Sequence, residues 1–263
     1  AQCYDKLGET KIAQDGYKKV LALDPNNEYI KGQMVENVKK TSSPQQFVDY
    51  VNTNLANSNP AGIFYDYAIE LHKNGKIDDA IFMYNQSIKA DSTDSEVYVN
   101  LALAQAQGNN YDGALTTLKN AQSKFPKDST ITSTIKNISG MKTDSLFTKA
   151  SNLYNNKQYK EAINTYLSIN PATADSMIGV ATSYQELGDR DNAIAYYQKA
   201  LELKPVDSDI AYYIAVLYGE KEDLDHAKIY LNKSLTINKN NTQASEYLTS
   251  ILEAEKSNLL NDA

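Results

Sequence analysis

The sequence has no tryptophan, a single cysteine, two histidines and six prolines in 263 residues. One thiol, Cys3, cannot close an intrachain disulfide. That fits a reducing compartment and favours the cytoplasm, while an exported or periplasmic location stays open. Runs of basic residues are missing. The densest pairs, Lys18–Lys19 and Lys39–Lys40, stand alone, and the net charge is −7. Phosphate backbones are held by clustered Lys and Arg, so nucleic acid is not expected as a partner. No stretch approaches the 18 consecutive apolar residues of a membrane span, so insertion into a bilayer is not expected.

The signatures of catalysis are missing too. There is no glycine-rich phosphate loop, no Gly-x-Ser-x-Gly turn and no His-Glu-x-x-His pair. His72 and His226 lie far apart in sequence, and neither has Cys, Asp and Glu at metal-ligand spacing. The carboxylates at Asp78–Asp79 and Glu220–Glu222–Asp223 cluster where helices should begin, where capping and the helix dipole explain them. The chain is therefore read as no enzyme, with no catalytic residues, no metal site and no cofactor. An initiator methionine and a signal peptide are also lacking. The chain opens inside a helical pattern, so it reads as a fragment or a processed product.

What is present is a folded composition, 41% hydrophobic and 22% charged, organised by a repeat. An alanine is followed four residues later by a large ring or a leucine. The pairs are Ala13/Tyr17, Ala80/Tyr84, Ala114/Leu118, Ala162/Tyr166, Ala193/Tyr197 and Ala227/Leu231. Ala80 to Ala114 and Ala193 to Ala227 each span 34 residues, and Ala13 to Ala80 spans 67, nearly two such periods. Twelve residues after three of these alanines stand Pro25, Pro126 and Pro205, which cannot continue a helical ladder. Five residues before three of them stand Gly8, Gly75 and Gly188, which end a helix cheaply in the left-handed conformation. A small residue lets two helices approach, and the ring one turn on fills the space beside the next hairpin.

These residues resemble the tetratricopeptide repeat. The stretch Tyr184-Gln185-Glu186-Leu187-Gly188, continued by Asn192-Ala193 and closing on Leu203-Lys204-Pro205, is near the family consensus, and Ala1 to Pro25 is similar to the later two-thirds of another repeat. The resemblance implies an all-α, right-handed superhelical solenoid of about seven hairpins. Residues 1–128 are expected to hold the N-terminal repeats, the first partial and the second (28–60) degenerate, with Val48 in the alanine place. The 48 residues from Ala114 to Ala162 exceed one period. The excess, 129–142, carries Ile131, Ile135 and Ile138 at helical spacing and reads as an extension of the next first helix, bent at Gly140. Residues 143–240 should hold the C-terminal repeats, and 241–263 a capping helix with Tyr247, Leu248 and Ile251 on its apolar face.

Most of the 20 tyrosines should be core, among them Tyr17, Tyr84, Tyr111, Tyr159, Tyr166 and Tyr197. Cys3 falls where the family packs small residues and is expected to be buried. His226 is expected on the surface. In the family, first helices line a concave groove that holds a peptide or another protein. Counting from the alanines, the groove positions are Tyr65, Ile69 and His72; Val99, Leu103 and Ala106; Phe147, Ser151 and Tyr154; Ile178, Thr182 and Gln185; and Tyr212 and Val216. They are mainly apolar, with Asp66 and Asn100 but no paired lysine to clamp a C-terminal carboxylate, so apolar contacts with a protein or peptide segment are expected. Two functions stay open: a scaffold that binds a partner in this groove, and the regulatory or substrate-recruiting array of a larger enzyme.

Overall fold

The computed structural model describes residues 1–261. Among them it shows fifteen helices and no strand. The chain divides into two compact units, Ala1–Gly140 and Met141–Ala263. In the first unit the helices pack as consecutive pairs: α1 (Gln2–Lys6) with α2 (Thr10–Leu23), α3 (Glu28–Thr41) with α4 (Pro44–Asn54), α5 (Pro60–Lys73) with α6 (Ile77–Ala90), and α7 (Ser95–Gln107) with α8 (Tyr111–Lys124). The division falls inside α9 (Ser129–Asn155). The second unit continues with α10 (Tyr159–Leu167), then α11 (Ala174–Glu186) with α12 (Arg190–Leu203), α13 (Ser208–Glu220) with α14 (Leu224–Ile237), and the last helix α15 (Thr242–Asn261). The fold is an all-α array of helical hairpins, as the repeat implies.

Short polar signals begin most of these helices. Ser43 and Gln46 form a reciprocal cap on α4, with Pro44 in the first helical position, where its missing N–H costs nothing. Asn110, Asp189 and Asp223 each accept a backbone N–H three residues on. The prolines stop the second helices: α2, α8 and α12 each end two residues before Pro25, Pro126 and Pro205.

The turn inside the hairpins has one backbone rule. The residue five before the alanine has a left-handed φ in six repeats: Gly8 (80°), Gly75 (73°), Asn109 (62°), Lys157 (61°), Gly188 (77°) and Glu222 (62°). Three of these are not glycine. A side chain in that conformation costs roughly 1–2 kcal/mol, least for asparagine.

All six marker alanines are fully buried, and so are Tyr17 and Leu118, Leu231 and Ala200 on second helices. In the degenerate repeat Val48 takes the alanine place and is buried beside Phe47 and Val51. The hairpins share layers of core. Residues such as Val97, Leu101 and Ala104 of α7 face the core below it, and Val99, Ala102 and Ala106 the core above. In the second unit a further contact is closer still. A Cβ added to Gly179 would lie 2.5 Å from the Tyr166 ring, so α11 meets α10 through a bare backbone. At the end of this unit Ala244 and Ile251 of α15 are buried against Ala215, Ala227 and Leu231, with Tyr247 and Leu248 half-buried beside them.

Two expectations need correction. Cys3 is exposed. It sits on α1, a helix of five residues that packs on α2 and leaves the thiol on its open side. Tyr111 and Tyr159 are only half-buried. They are the first residues of α8 and α10, where a side chain reaches past the hairpin turn. Tyr111 donates to Asn109, and Tyr159 to Glu186.

Two stability measurements follow from this packing. Ala80→Leu and Ala193→Leu should each overpack a crossing and cost about 1–3 kcal/mol, read as a lower denaturation midpoint. An unchanged midpoint in both would mean that the alanines do not set the helix spacing. Lys157→Gly and Glu222→Gly should instead raise stability by about 0.5–1 kcal/mol each, because glycine removes the left-handed strain and its own entropy cost is smaller. A loss at both positions would show that those side chains contribute more than their backbone costs.

Candidate protein-interaction face

First helices are amphipathic in three directions. Two faces feed neighbouring cores, and one narrow stripe is left open. On α5 the stripe is Tyr65, Ile69 and His72, spaced four and three residues apart, so that they lie on one side of the helix. On α7 the same spacing carries Glu96, Asn100, Leu103 and Gln107, of which Leu103 packs against the core and the other three stay on the open side.

Between α5 and α7 the first unit holds an open pocket of about 510 Å³. It brings together the three expected residues of α5, Tyr65, Ile69 and His72, with Lys73, Tyr84, Glu96, Asn100 and Gln107. Asn100 Nδ2 donates to the Tyr65 hydroxyl at 2.7 Å. His72 Nε2 and Gln107 Oε1 are 2.8 Å apart, and the Tyr84 hydroxyl lies 3.5 Å from His72 Nδ1. The Tyr65 and Tyr84 rings are 6.0 Å apart and tilted by 53°. Burial, and then the Glu96 carboxylate, push the Tyr65 phenol well above its ordinary range. The same two causes push Tyr84 up to about 12.

A second open pocket, of about 450 Å³, lies between α3 and α5. Its charges are largely paired. Lys31 meets Glu28 at 2.8 Å, and Lys39 meets Glu36 at 2.8 Å and Glu70 at 3.1 Å.

Val99 and Ala106 do not belong to the open stripe. Val99 is 7% exposed and Ala106 is 2% exposed, both within the core that α7 shares with α8. Counting positions from the alanine gives Val99 the place of Tyr65. One residue on, Asn100 reaches the pocket instead, because α7 is buried on both flanks. Leu103 is half-buried against the same core and does not line the pocket.

In the second unit Phe147 is exposed on α9, its ring 5.4 Å from that of Tyr166 in an edge-on contact. Ser151 Oγ and the Tyr166 hydroxyl are 3.0 Å apart. Tyr154 stands edge-on to Tyr159 at 5.4 Å. Ile178 and Tyr212 are half-buried and packed against cores, and Val216 is half-buried. Position counting missed Tyr213, which is 43% exposed, with its ring 5.7 Å from Tyr197 and 5.9 Å from Tyr212. It also missed Glu96 and Gln107. The spacing 96, 100, 103, 107 is a helical stripe in the sequence itself and would have revealed both. His226 is exposed, as expected, and pairs with Asp223.

These hairpins of fixed register define a helical-repeat array. Tetratricopeptide repeat profiles match residues 71–135, 143–170, 174–207 and 209–241. The protein belongs to the tetratricopeptide repeat family, whose members are generally non-catalytic protein-interaction arrays. No curated protein sequence matches the chain. Among solved structures it is similar to MamA from Desulfovibrio magneticus RS-1, at 18% identity over 70% of this chain and 97% of that one, with a TM-score of 0.33. It is similar to the P58(IPK) TPR domain at 18% identity, over 95% and 76%, with a TM-score of 0.40. It is also similar to the first TPR domain of Spaghetti (RPAP3), solved with an HSP90 peptide, at 20% identity over 43% and 93%, with a TM-score of 0.40.

The tyrosines give a pH prediction. The folded chain holds the Tyr84 proton to about 12, against an ordinary value of 10.0. Below pH 10 both states keep that proton, and its contribution to stability is complete. Between about 10 and 12 the unfolded chain ionises first, so stability falls as pH rises. Thermal melts across that window should show the loss, and Tyr84→Phe should flatten part of it. An identical slope in the variant would mean that the Tyr84 phenol titrates as it would in water.

Proposed function

We propose that the chain is a scaffold that binds a protein segment along the open stripes of its first helices. The observation that carries this reading is the open pocket between α5 and α7, which half-buried Tyr65, Ile69 and His72 line although Tyr65 and Ile69 also pack against the core beside them. Large side chains that line an open pocket on a repeat array serve a ligand better than they serve solubility. Phe147 and Tyr213 support the same reading in the second unit. Affinity comes mainly from apolar burial, at roughly 25 cal/mol per Å² removed from water, offset by ordering of the bound segment. The scaffold itself does no chemistry.

The test is photocrosslinking from single benzoylphenylalanine substitutions in the intact chain, incubated with a random peptide library. Substitutions at Gln107 and Phe147, on first helices, should capture peptide. Those at Lys119 and Glu202, exposed on second helices, should not. Phe147→Ala with Tyr213→Ala should weaken captured peptides about ten-fold without changing helicity. Capture confined to Lys119 and Glu202 would move the binding surface to the second helices.

A further inference from the structure

The pocket between α5 and α7 has charged groups at both ends. Glu96 stands at the start of α7, while Lys73 and His72 stand at the end of α5, level with Gln107. Eleven residues of helix separate Glu96 from Gln107, about 16 Å at 1.5 Å per residue. That is longer than the Debye length of about 8 Å at physiological salt, so Lys73 does little to neutralise Glu96. Glu96 has no cationic partner among the described residues. The carboxylate of Asp94, which caps α7 at the Glu96 N–H, adds a second negative charge beside it. The neighbouring α3–α5 pocket differs in this respect, since two of its acids, Glu28 and Glu36, are already paired with Lys31 and Lys39.

The rest of this end of the pocket suits a cation as well. Tyr65 and Tyr84 present two tilted rings 6.0 Å apart, and an aromatic face within about 6 Å attracts an ammonium or a guanidinium. Asn100 donates through Nδ2 to the Tyr65 hydroxyl, and its Oδ1 accepts from no described residue, so a pocket-lining side chain keeps one neutral acceptor unspent.

We infer that this end of the pocket takes an arginine or lysine side chain of the bound segment, held between the Glu96 carboxylate, the Tyr65 ring and the Asn100 amide oxygen. The inference rests on the first-helix reading above and names the chemistry of one residue in the ligand. An exposed ion pair alone changes affinity only a few-fold. A ring face beside it brings the expected effect to about ten-fold.

The experiment selects a random displayed peptide library on the intact chain and, in parallel, on Glu96→Gln, a change at an exposed position that leaves the cores alone. Peptides from the wild-type selection should share an arginine or lysine at one fixed place. Those from Glu96→Gln should lose that preference. In calorimetry, wild-type peptides should bind Glu96→Gln about ten times more weakly, and Glu96→Lys more weakly still. Replacing the shared basic residue of the peptide by glutamine should weaken wild type and leave Glu96→Gln unchanged. Enriched peptides that crosslink to Gln107 yet carry no shared basic residue, or that bind Glu96→Gln as tightly as wild type, would overturn the inference and leave the first-helix reading standing. Enrichment of peptides that crosslink only to second helices, or of none at all, would overturn both.

Discussion

A small buried residue, alanine in six hairpins and Val48 in the degenerate one, sets how near the two helices of a hairpin come. Each of the six alanines is closed off from solvent, with a ring or leucine one turn later in the same core. Small residues at a crossing permit this close approach, and overpacking by even a few methylenes is felt in an interior of crystal-like density. The spacing in turn fixes where the next hairpin can stack. Gly179, against the Tyr166 ring, shows the same limit carried to its end, with no Cβ at all.

That constraint explains what could be read from the sequence. The alanine and its ring recur because the crossing tolerates little else, so the period, the hairpins and most of the core were visible from residue spacing. The left-handed turn is required in the same way, but only of the backbone. Gly8, Gly75 and Gly188 announced it, whereas Asn109, Lys157 and Glu222 occupy the same conformation without a compositional sign. The conformation is demanded and the residue is not, at a cost small enough for stacking to absorb. Cys3 was misread because the repeat gives a position its usual neighbours, and α1 meets only part of them.

The candidate site was legible only in part. Tyr65, Ile69 and His72 line one pocket because α5 keeps the family's register, with one flank in the core and one toward the pocket. Val99 was misplaced because α7 feeds two cores, which turns the open stripe by one residue onto Asn100. Which of two adjacent residues faces outward depends on what both neighbouring hairpins press against the helix. One repeat counted by itself does not carry that information. Tyr213 escaped for the same reason.

Fold and ligand chemistry are therefore written in different residues. The crossings, turns and stops use alanine, a ring, a left-handed residue and proline, and they are satisfied before any open side chain is chosen. The stripe is what remains, about one residue per turn on each first helix. Charge and shape there can change without loss of packing, since Glu96, Lys73 and Gln107 touch no core cluster. Under the proposed function a partner would be selected by a handful of positions on a frame indifferent to them. In the first unit those positions place a carboxylate at one end of a tyrosine-lined pocket and a lysine at the other, so the segment we propose to bind there would meet opposite charges along its length and have one favoured direction.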